Sequence, residues 1–352
     1  MSKKSLMLIS KDRNIYKEID RNKTSTGSFF TKKEVWLNKP INDFISKIIA
    51  GRSVMDPFAG DGHLLDVCKE KFNCDVYGFD IQNPKWERND SLINIPNPHN
   101  SIIVTNPPYL AKYSAKRKGV LSEVEKYFDS EFEDLYQLAL QKCIESADYV
   151  VAIIPETFLN STFSKFYLSL VSVLEENPFD DTETPVCVAC FSKENKQDGD
   201  LYIGNEYCGK YEDIFRNRLG VIRDKDISFN KPNGQFALKA VDGTSADDRI
   251  RFIKSADFQY SRDKIKNSSR LLTYLDIPNI NDSEIEDFIK KANKNIEEMR
   301  LKTSDLIFSP FKGNNKIGKR RRRLDYTLAR IIIEKTLIQM SKRNLSQNDL
   351  FN

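Results

Sequence analysis

Arg52-Ser53-Val54-Met55-Asp56-Pro57-Phe58-Ala59-Gly60-Asp61-Gly62-His63-Leu64-Leu65 reads as a short strand, a glycine-bearing turn and the first turn of a helix. Gly60 and Gly62 let backbone approach a ligand closely, and the N–H groups of a helix start would face it. The acid at the strand end, Asp56, argues against a phosphate-binding loop, and no Gly-Lys-Ser/Thr follows. A carboxylate there suits a ligand with a cationic amino group.

Downstream, Cys74-Asp75-Val76-Tyr77-Gly78-Phe79-Asp80-Ile81 forms a second strand ending in Asp80. An acid at this point of a βαβ unit is placed to accept hydrogen bonds from ribose hydroxyls. Asp90 follows in a polar loop. Ser101-Ile102-Ile103-Val104-Thr105-Asn106-Pro107-Pro108-Tyr109-Leu110 then gives a third strand, stopped by two prolines that cannot donate to a ladder. Its end presents an amide, a backbone carbonyl and an aromatic face, a device of the size of a nucleobase. Asp56, Asp80 and Asn106 thus converge on the carboxyl edge of one parallel sheet, where open α/β sheets bind ligands. The fold expected is α/β: a Rossmann-like, mostly parallel twisted sheet with helices on both faces, plus a smaller C-terminal mixed α+β region.

Around this unit, Thr26-Gly27-Ser28-Phe29-Phe30-Thr31 permits a tight turn, and Thr31 can cap a helix over Lys32–Leu37. Phe29 and Phe30 could line a pocket or belong to the core. Apolar spacing predicts helices over 41–50, 135–144, 161–170, 281–301 and 324–340, and strands over 149–156, 171–174 and 186–191. Asn177-Pro178-Phe179-Asp180-Asp181 reads as a turn exposing Phe179. The charged stretch at 193–200 marks a boundary between residues 1–195 and 196–352.

Residues 251–352 carry 22 Lys/Arg against 13 Asp/Glu, whereas residues 1–250 carry 33 against 38. A basic C-terminal third on a mildly acidic body points to a polyanionic partner held by one part of the molecule. The run Lys319-Arg320-Arg321-Arg322-Arg323 at a helix start opposes the helix dipole, which favours phosphate contact over a merely solvated helix start. Six scattered cysteines form no disulfide framework. Cys187 and Cys190 sit in a strand-like run without further ligands at metal spacing, so they are expected in the core and no metal is expected. His63 and His99, the two histidines, are assigned no catalytic part. With no secretion signal and no window of membrane-span length, a cytoplasmic location is expected.

In motif order, residues 26–193 resemble the S-adenosylmethionine-dependent DNA methyltransferases that modify exocyclic amino groups, and are similar to the adenine-N6 methylases of restriction–modification systems. The resemblance implies a cofactor site made of Thr26, Gly27, Phe29, Phe30 and Thr31 against the methionine part. Asp56, Pro57, Phe58, Ala59, Gly60 and Gly62 would form the main loop, Asp80 and Ile81 would lie at the ribose, Asp90 near the adenine, and Asn106 beside the methyl. It implies Asn106, Pro107, Pro108 and Tyr109 as the catalytic tetrapeptide and Phe179 as a second aromatic at the target base. Asp134-Leu135-Tyr136 through the strand at 149–156 is similar to the segments that follow in the family. Residues 1–195 would be the catalytic domain and 196–352 the target-recognition domain, with Lys319 to Arg323 on double-stranded DNA. A separately acting cognate restriction endonuclease is a possible further partner.

An aromatic amine is a poor nucleophile because its lone pair is delocalised. Acceptance of its two hydrogens by Asn106 Oδ1 and the Pro107 carbonyl favours a pyramidal nitrogen with a localised pair. The amine is out of reach inside a duplex, so the base must be flipped out. The same tetrapeptide serves cytosine-N4, RNA adenine-N6 and protein glutamine methylation. The basic C-terminal region disfavours the protein substrate, and Asn106 in place of serine favours adenine over cytosine. A catalytically inactive nucleic-acid-binding module is the reading from another class.

Overall fold

The computed structural model describes residues 34–348, apart from 97–99, 129–131, 180–181, 196, 219–226 and 279. The chain divides into two units. The first comprises residues up to Phe158 with Thr162–Tyr207, the second Leu159–Ser161 with the chain from Cys208 onward. The division thus falls after Tyr207 and not at 195, because the chain beyond the charged stretch first adds another strand to the main sheet.

That sheet contains β1 (Ser53–Asp56), β2 (Val76–Asp80), β3 (Glu87–Arg88), β4 (Ser101–Thr105), β5 (Tyr149–Pro155), β6 (Leu168–Val173), β7 (Val186–Ser192) and β8 (Asp200–Ile203). With β9 (Glu206–Lys210), the strand within which the division falls, their order is β3-β2-β1-β4-β5-β7-β6-β8-β9. Pairings from β3 through β5 are parallel, with Val54 opposite both Val76 and Ile102, and Ile103 opposite Val150. Strand β7 runs antiparallel to β5 and β6, while β6 and β8 are parallel. The result is a mostly parallel α/β sheet.

Apolar composition explains the middle. Every residue of β4, β5 and β7 is buried, as required of strands covered on both faces. Cys187 and Cys190 lie there at 0% exposure, and burial pushes both thiols well above their usual range. Helices α1 (Lys39–Ile48), α2 (His63–Phe72) and α5 (Leu135–Ser146) pack against this sheet. Helix α1 begins with Pro40 in its first turn, where a missing N–H costs nothing, and buries Ile41, Ile45 and Ile48. Two short helices, α3 (Lys112–Lys118) and α4 (Leu121–Val124), lie between β4 and α5.

Two local expectations fail. Residues 161–170 form no helix: after a 3-10 turn at Glu156–Asn160 the chain turns and enters β6 at Leu168. Pairing of Leu168 with Phe191 overrides the local spacing. Only Glu34–Trp36 of the segment after Thr31 is described as helical, a single 3-10 turn that buries Trp36.

The second unit has a four-stranded antiparallel sheet of β10 (Ser228–Phe229), β11 (Phe236–Lys239), β12 (Arg251–Lys254) and β13 (Leu272–Asp276), in the order β10-β13-β11-β12. It also contains α6 (Tyr211–Phe215), α7 (Ile285–Lys302), α8 (Tyr326–Asn348) and a hairpin of β14 (Ser309–Asn314) and β15 (Arg320–Arg323). Phe236, Phe252 and Phe288 form its buried aromatic centre. The basic run 320–323 is therefore a strand, not a helix start, and α8 begins at Tyr326. Arg322 is 3% exposed and its backbone N–H donates to Asp242. The Arg300 guanidinium meets both Asp242 carboxylate oxygens at 2.7 and 2.8 Å.

Candidate active site

Three strand ends open onto one cavity of about 680 Å³ in the first unit, lined among others by Asp56, Asp80, Asp90 and Asn106. That volume lies within the range of sites that enclose a small molecule. Asp56 and Asn106 meet there because β1 and β4 are adjacent and parallel.

Asp56 is 2% exposed. It accepts the Phe58 N–H at 2.9 Å and the Thr105 hydroxyl at 2.6 Å. Burial outweighs these bonds and pushes its carboxyl up to about 7, with the Asp80 charge adding to the rise. A cation entering the cavity would hold Asp56 ionised.

Asp80 organises the turn around itself. One of its oxygens accepts the Gly60 N–H at 3.0 Å, the other the Gln82 and Asn83 N–H groups, each at 2.7 Å. The Gly60 carbonyl in turn accepts from Asn83 Nδ2 at 2.7 Å and Trp86 Nε1 at 2.8 Å. Lys85 reaches the Asp61 carbonyl and lies 4.7 Å from the Trp86 ring centre. Residues 83–86 therefore strap the glycine turn. Gly62, at φ +90°, caps α2, and a Cβ there would lie 2.6 Å from the Trp86 ring. Asp90 accepts the Tyr127 hydroxyl at 2.8 Å and pairs with Lys126 at 3.2 Å.

The tetrapeptide leaves β4 as intended by its prolines. Asn106 and Pro108 border the cavity. Tyr109 does not line it: the residue is buried, and its hydroxyl is within donating distance of Asn106 Oδ1 and of the Ile153 carbonyl. Phe179, expected to be exposed, is 4% exposed and meets Tyr109 edge to face at 6.1 Å between ring centres. The chain beyond the tetrapeptide is held by Asp134, which caps α5, and by the Leu135 N–H on the Leu110 carbonyl at 3.1 Å. Burial raises the Asp134 carboxyl to about 6.

Pro57, Phe58, Ala59, Gly60, Gly62 and Ile81 also border the cavity. Thr26, Gly27, Phe29, Phe30 and Thr31, like His99, lie outside the described residues. Lys319 to Arg323 lie in the second unit. Sequence reasoning did not find Thr105, Asn83, Lys85, Trp86 or Tyr127. Thr105 was detectable in principle as the residue that precedes Asn106 on the strand; the others carry no periodicity or motif. Among the described residues no group of His, Cys, Asp and Glu could hold a metal ion, and no helix is long and apolar enough to cross a membrane.

An open, mostly parallel sheet with acids and an amide at its carboxyl edge defines the class of α/β small-molecule-binding domains. Residues 5–172 match the model of the family described as Eco57I restriction-modification methylase, so this part of the chain is similar to those methylases. No curated protein matches the chain. Among solved structures, it is similar to the type I restriction-modification system methyltransferase subunit from Streptococcus thermophilus, at 17% identity and TM-score 0.37, covering 53% of this chain and 49% of that one. It is also similar to TrmN from Thermus thermophilus, at 16% identity and TM-score 0.29, covering 44% of this chain and 48% of that one. A third is the type IIL restriction-modification enzyme MmeI in complex with DNA, at 13% identity and TM-score 0.38, covering 78% of this chain and 52% of that one. The chain spans about half the length of each of these three solved structures. At such scores the likenesses carry no argument, and the fold rests on the sheet order itself.

Proposed function

We propose that this chain is an S-adenosylmethionine-dependent DNA methyltransferase that modifies adenine N6 of a flipped-out base in double-stranded DNA, as the modification partner of a restriction system. The observation that carries the reading is the meeting of Asp56, Asp80 and Asn106 on one cavity at the carboxyl edge of parallel strands. The family match over residues 5–172 supports it.

The residues present fit the cofactor. Asp56, buried and raised to about 7, is a carboxylate short of a cation, and an amino group supplies one. Asp80 lies where ribose hydroxyls would seek an acceptor, and Asp90 with Tyr127 borders the place for an adenine ring. Thr26 to Thr31 would complete the methionine end. When bound, S-adenosylmethionine supplies a methyl group already activated by its sulfonium, so positioning does most of the work.

Asn106 Oδ1 and the Pro107 carbonyl accept the hydrogens of the target amine. An amide oxygen has two lone pairs, so the Tyr109 hydroxyl can hold one while the amine takes the other. Tyr109 in this reading orients the Asn106 amide, with Phe179 supporting its ring, and Pro108 stiffens the turn. The amide is no base, and the proton leaves to solvent. The first unit carries this chemistry, and the second recognises DNA through its basic hairpin, with Lys319 among the exposed cations, in a cytoplasmic enzyme.

The test is transfer of a labelled methyl group onto duplex DNA, digestion, and identification of the modified nucleoside. N6-methyladenine is expected. Label on cytosine N4, or on RNA alone, would replace this reading with one of its two neighbours. Absence of any transfer from a protein that binds DNA would leave only a binding module.

A further inference from the structure

Between Asp305 and Asp325 the sequence holds seven Lys/Arg residues and no acid. The β14–β15 hairpin turns some of these inward, leaves Arg320 and Arg323 half-buried and exposes the rest. Arg321 and Arg322 are spent inward. The Arg321 Nε donates to the Asp242 carbonyl at 2.9 Å and its guanidinium lies 4.9 Å from the Phe311 ring centre, while Arg322 is buried. Lys312, Lys316 and Lys319 are exposed at the far end, and among the described residues none of the three forms an ion pair.

The tip itself is a fixed turn. Asn315 N–H donates to the Lys319 carbonyl at 2.8 Å, and Gly318 N–H to the Asn315 carbonyl at 3.0 Å. The Asn315 side-chain oxygen accepts the Ile317 and Lys319 N–H groups at 3.2 and 2.9 Å. Gly318, at φ +80°, closes the turn, and Lys316 N–H ties it to the Thr244 carbonyl at 2.8 Å. This network holds Ile317 outward at 62% exposure, an apolar side chain at the apex of a cationic ribbon.

We propose that this tip is a contact for duplex DNA, with Lys312, Lys316 and Lys319 on phosphates and Ile317 entering a groove as an apolar wedge. Charge complementarity names the occupant: an acid-free ribbon meets a polyanion, and a two-stranded ribbon fits a DNA groove. Apolar side chains inserted between base steps are a known means of kinking a duplex. The proposal rests on the methyltransferase reading only for the choice of DNA as the polyanion. It moves the phosphate contacts from Arg322, which is buried, to the lysines of the tip.

The experiment measures equilibrium binding of the full chain to a duplex carrying 2-aminopurine at several steps, across a salt series, with methyl transfer assayed on the same DNA. In the Lys312→Ala/Lys316→Ala/Lys319→Ala variant, the slope of log affinity against log salt should shrink by about 2 to 3, since each phosphate contact contributes about 0.9. Ile317→Ala should keep the slope, bind several-fold more weakly and lose the rise in 2-aminopurine emission. Exposed tip residues leave thermal melting unchanged, which serves as the folding control. An unchanged slope in the triple variant overturns the phosphate contacts, and wild-type emission with Ile317→Ala overturns the wedge. DNA that is methylated despite an unchanged slope sinks only the hairpin assignment. DNA that is bound through the tip and never methylated sinks only the methyltransferase reading.

Discussion

Asp56 is a carboxylate placed where ionisation is costly, and that makes its behaviour measurable. Its folded value is raised to about 7, so it stabilises the ligand-free protein below the ordinary carboxylate range and that contribution is lost as pH rises through about 7. A cationic ligand needs the opposite, ionised form. Affinity for S-adenosylmethionine is therefore expected to fall below pH 7, approaching about tenfold per pH unit. The thermal shift on adding cofactor should be larger at pH 8 than at pH 6, and Asp56→Asn should flatten both trends. Calorimetric titration at a series of pH values checks this, and a pH-independent affinity in the unmutated protein would break the link. Asn106→Ala should abolish methyl transfer, a loss of at least about 100-fold for an acceptor or donor of this kind, while cofactor affinity stays near normal. Tyr109→Phe separates orientation from stacking: kcat should fall with KM little changed, because the ring remains while the hydroxyl that reaches Asn106 Oδ1 and the Ile153 carbonyl is lost. A steady-state assay in which KM alone changed would favour stacking on the base. Asp56, Asp80 and Asn106 were legible in the sequence because each closes an apolar strand run. The inward turn of Tyr109 and Phe179 was not, because it depends on β5 presenting the Ile153 carbonyl.

Elements explain why some readings held and others did not. Helices over 135–144 and 281–301 and the strand at 149–156 carry a period or an unbroken apolar run, and they form. The helical spacing at 161–170 loses to sheet pairing. The arginine run becomes a strand because the Asp242 carbonyl and the Phe311 ring take up the Arg321 guanidinium while the Asp242 carboxylate accepts the Arg322 N–H, partners that a local reading does not see. The strap over the glycine turn was invisible for the same reason: Trp86 acts through one indole N–H on a carbonyl 26 residues away. Trp86→Phe keeps most of the packing and removes that bond, so weaker cofactor binding with little change in melting is expected. Gly78→Ala tests the strand beneath. A Cβ at Gly78 would lie 2.6 Å from Ala59 Cβ and 3.0 Å from Leu65. Overpacking of that kind costs about 1–3 kcal/mol, readable as a lower denaturation midpoint in urea.

At the scale of the molecule, charge and chemistry are divided between the two units. Carboxylates gather at the cavity of the first, and cations in the second. The buried Arg300–Asp242 pair anchors that second unit, with Asp242 also accepting the Ile250 and Arg322 N–H groups. Arg300→Met should destabilise the protein by about 3–5 kcal/mol, because it leaves a buried carboxylate without its partner. Chemical denaturation followed by circular dichroism checks this, and a loss below about 1 kcal/mol would contradict a desolvated pair. Sequence composition foretold the basic second unit, but the charged stretch at 193–200 misplaced its start.

The tripeptide Leu159–Ser161 belongs to the second unit although it is embedded in the sequence of the first. Asn160 Nδ2 donates to the Ile307 carbonyl at 3.1 Å, and the Tyr211 hydroxyl to the Leu159 carbonyl at 3.0 Å. A chimera made by fusing a foreign C-terminal half at Cys208 would therefore inherit three residues selected for a neighbour it no longer has. Swapping 159–161 together with 208–352 is the smallest transplant that keeps both of these hydrogen bonds between native partners, and a library built on one junction alone would discard working combinations as misfolded.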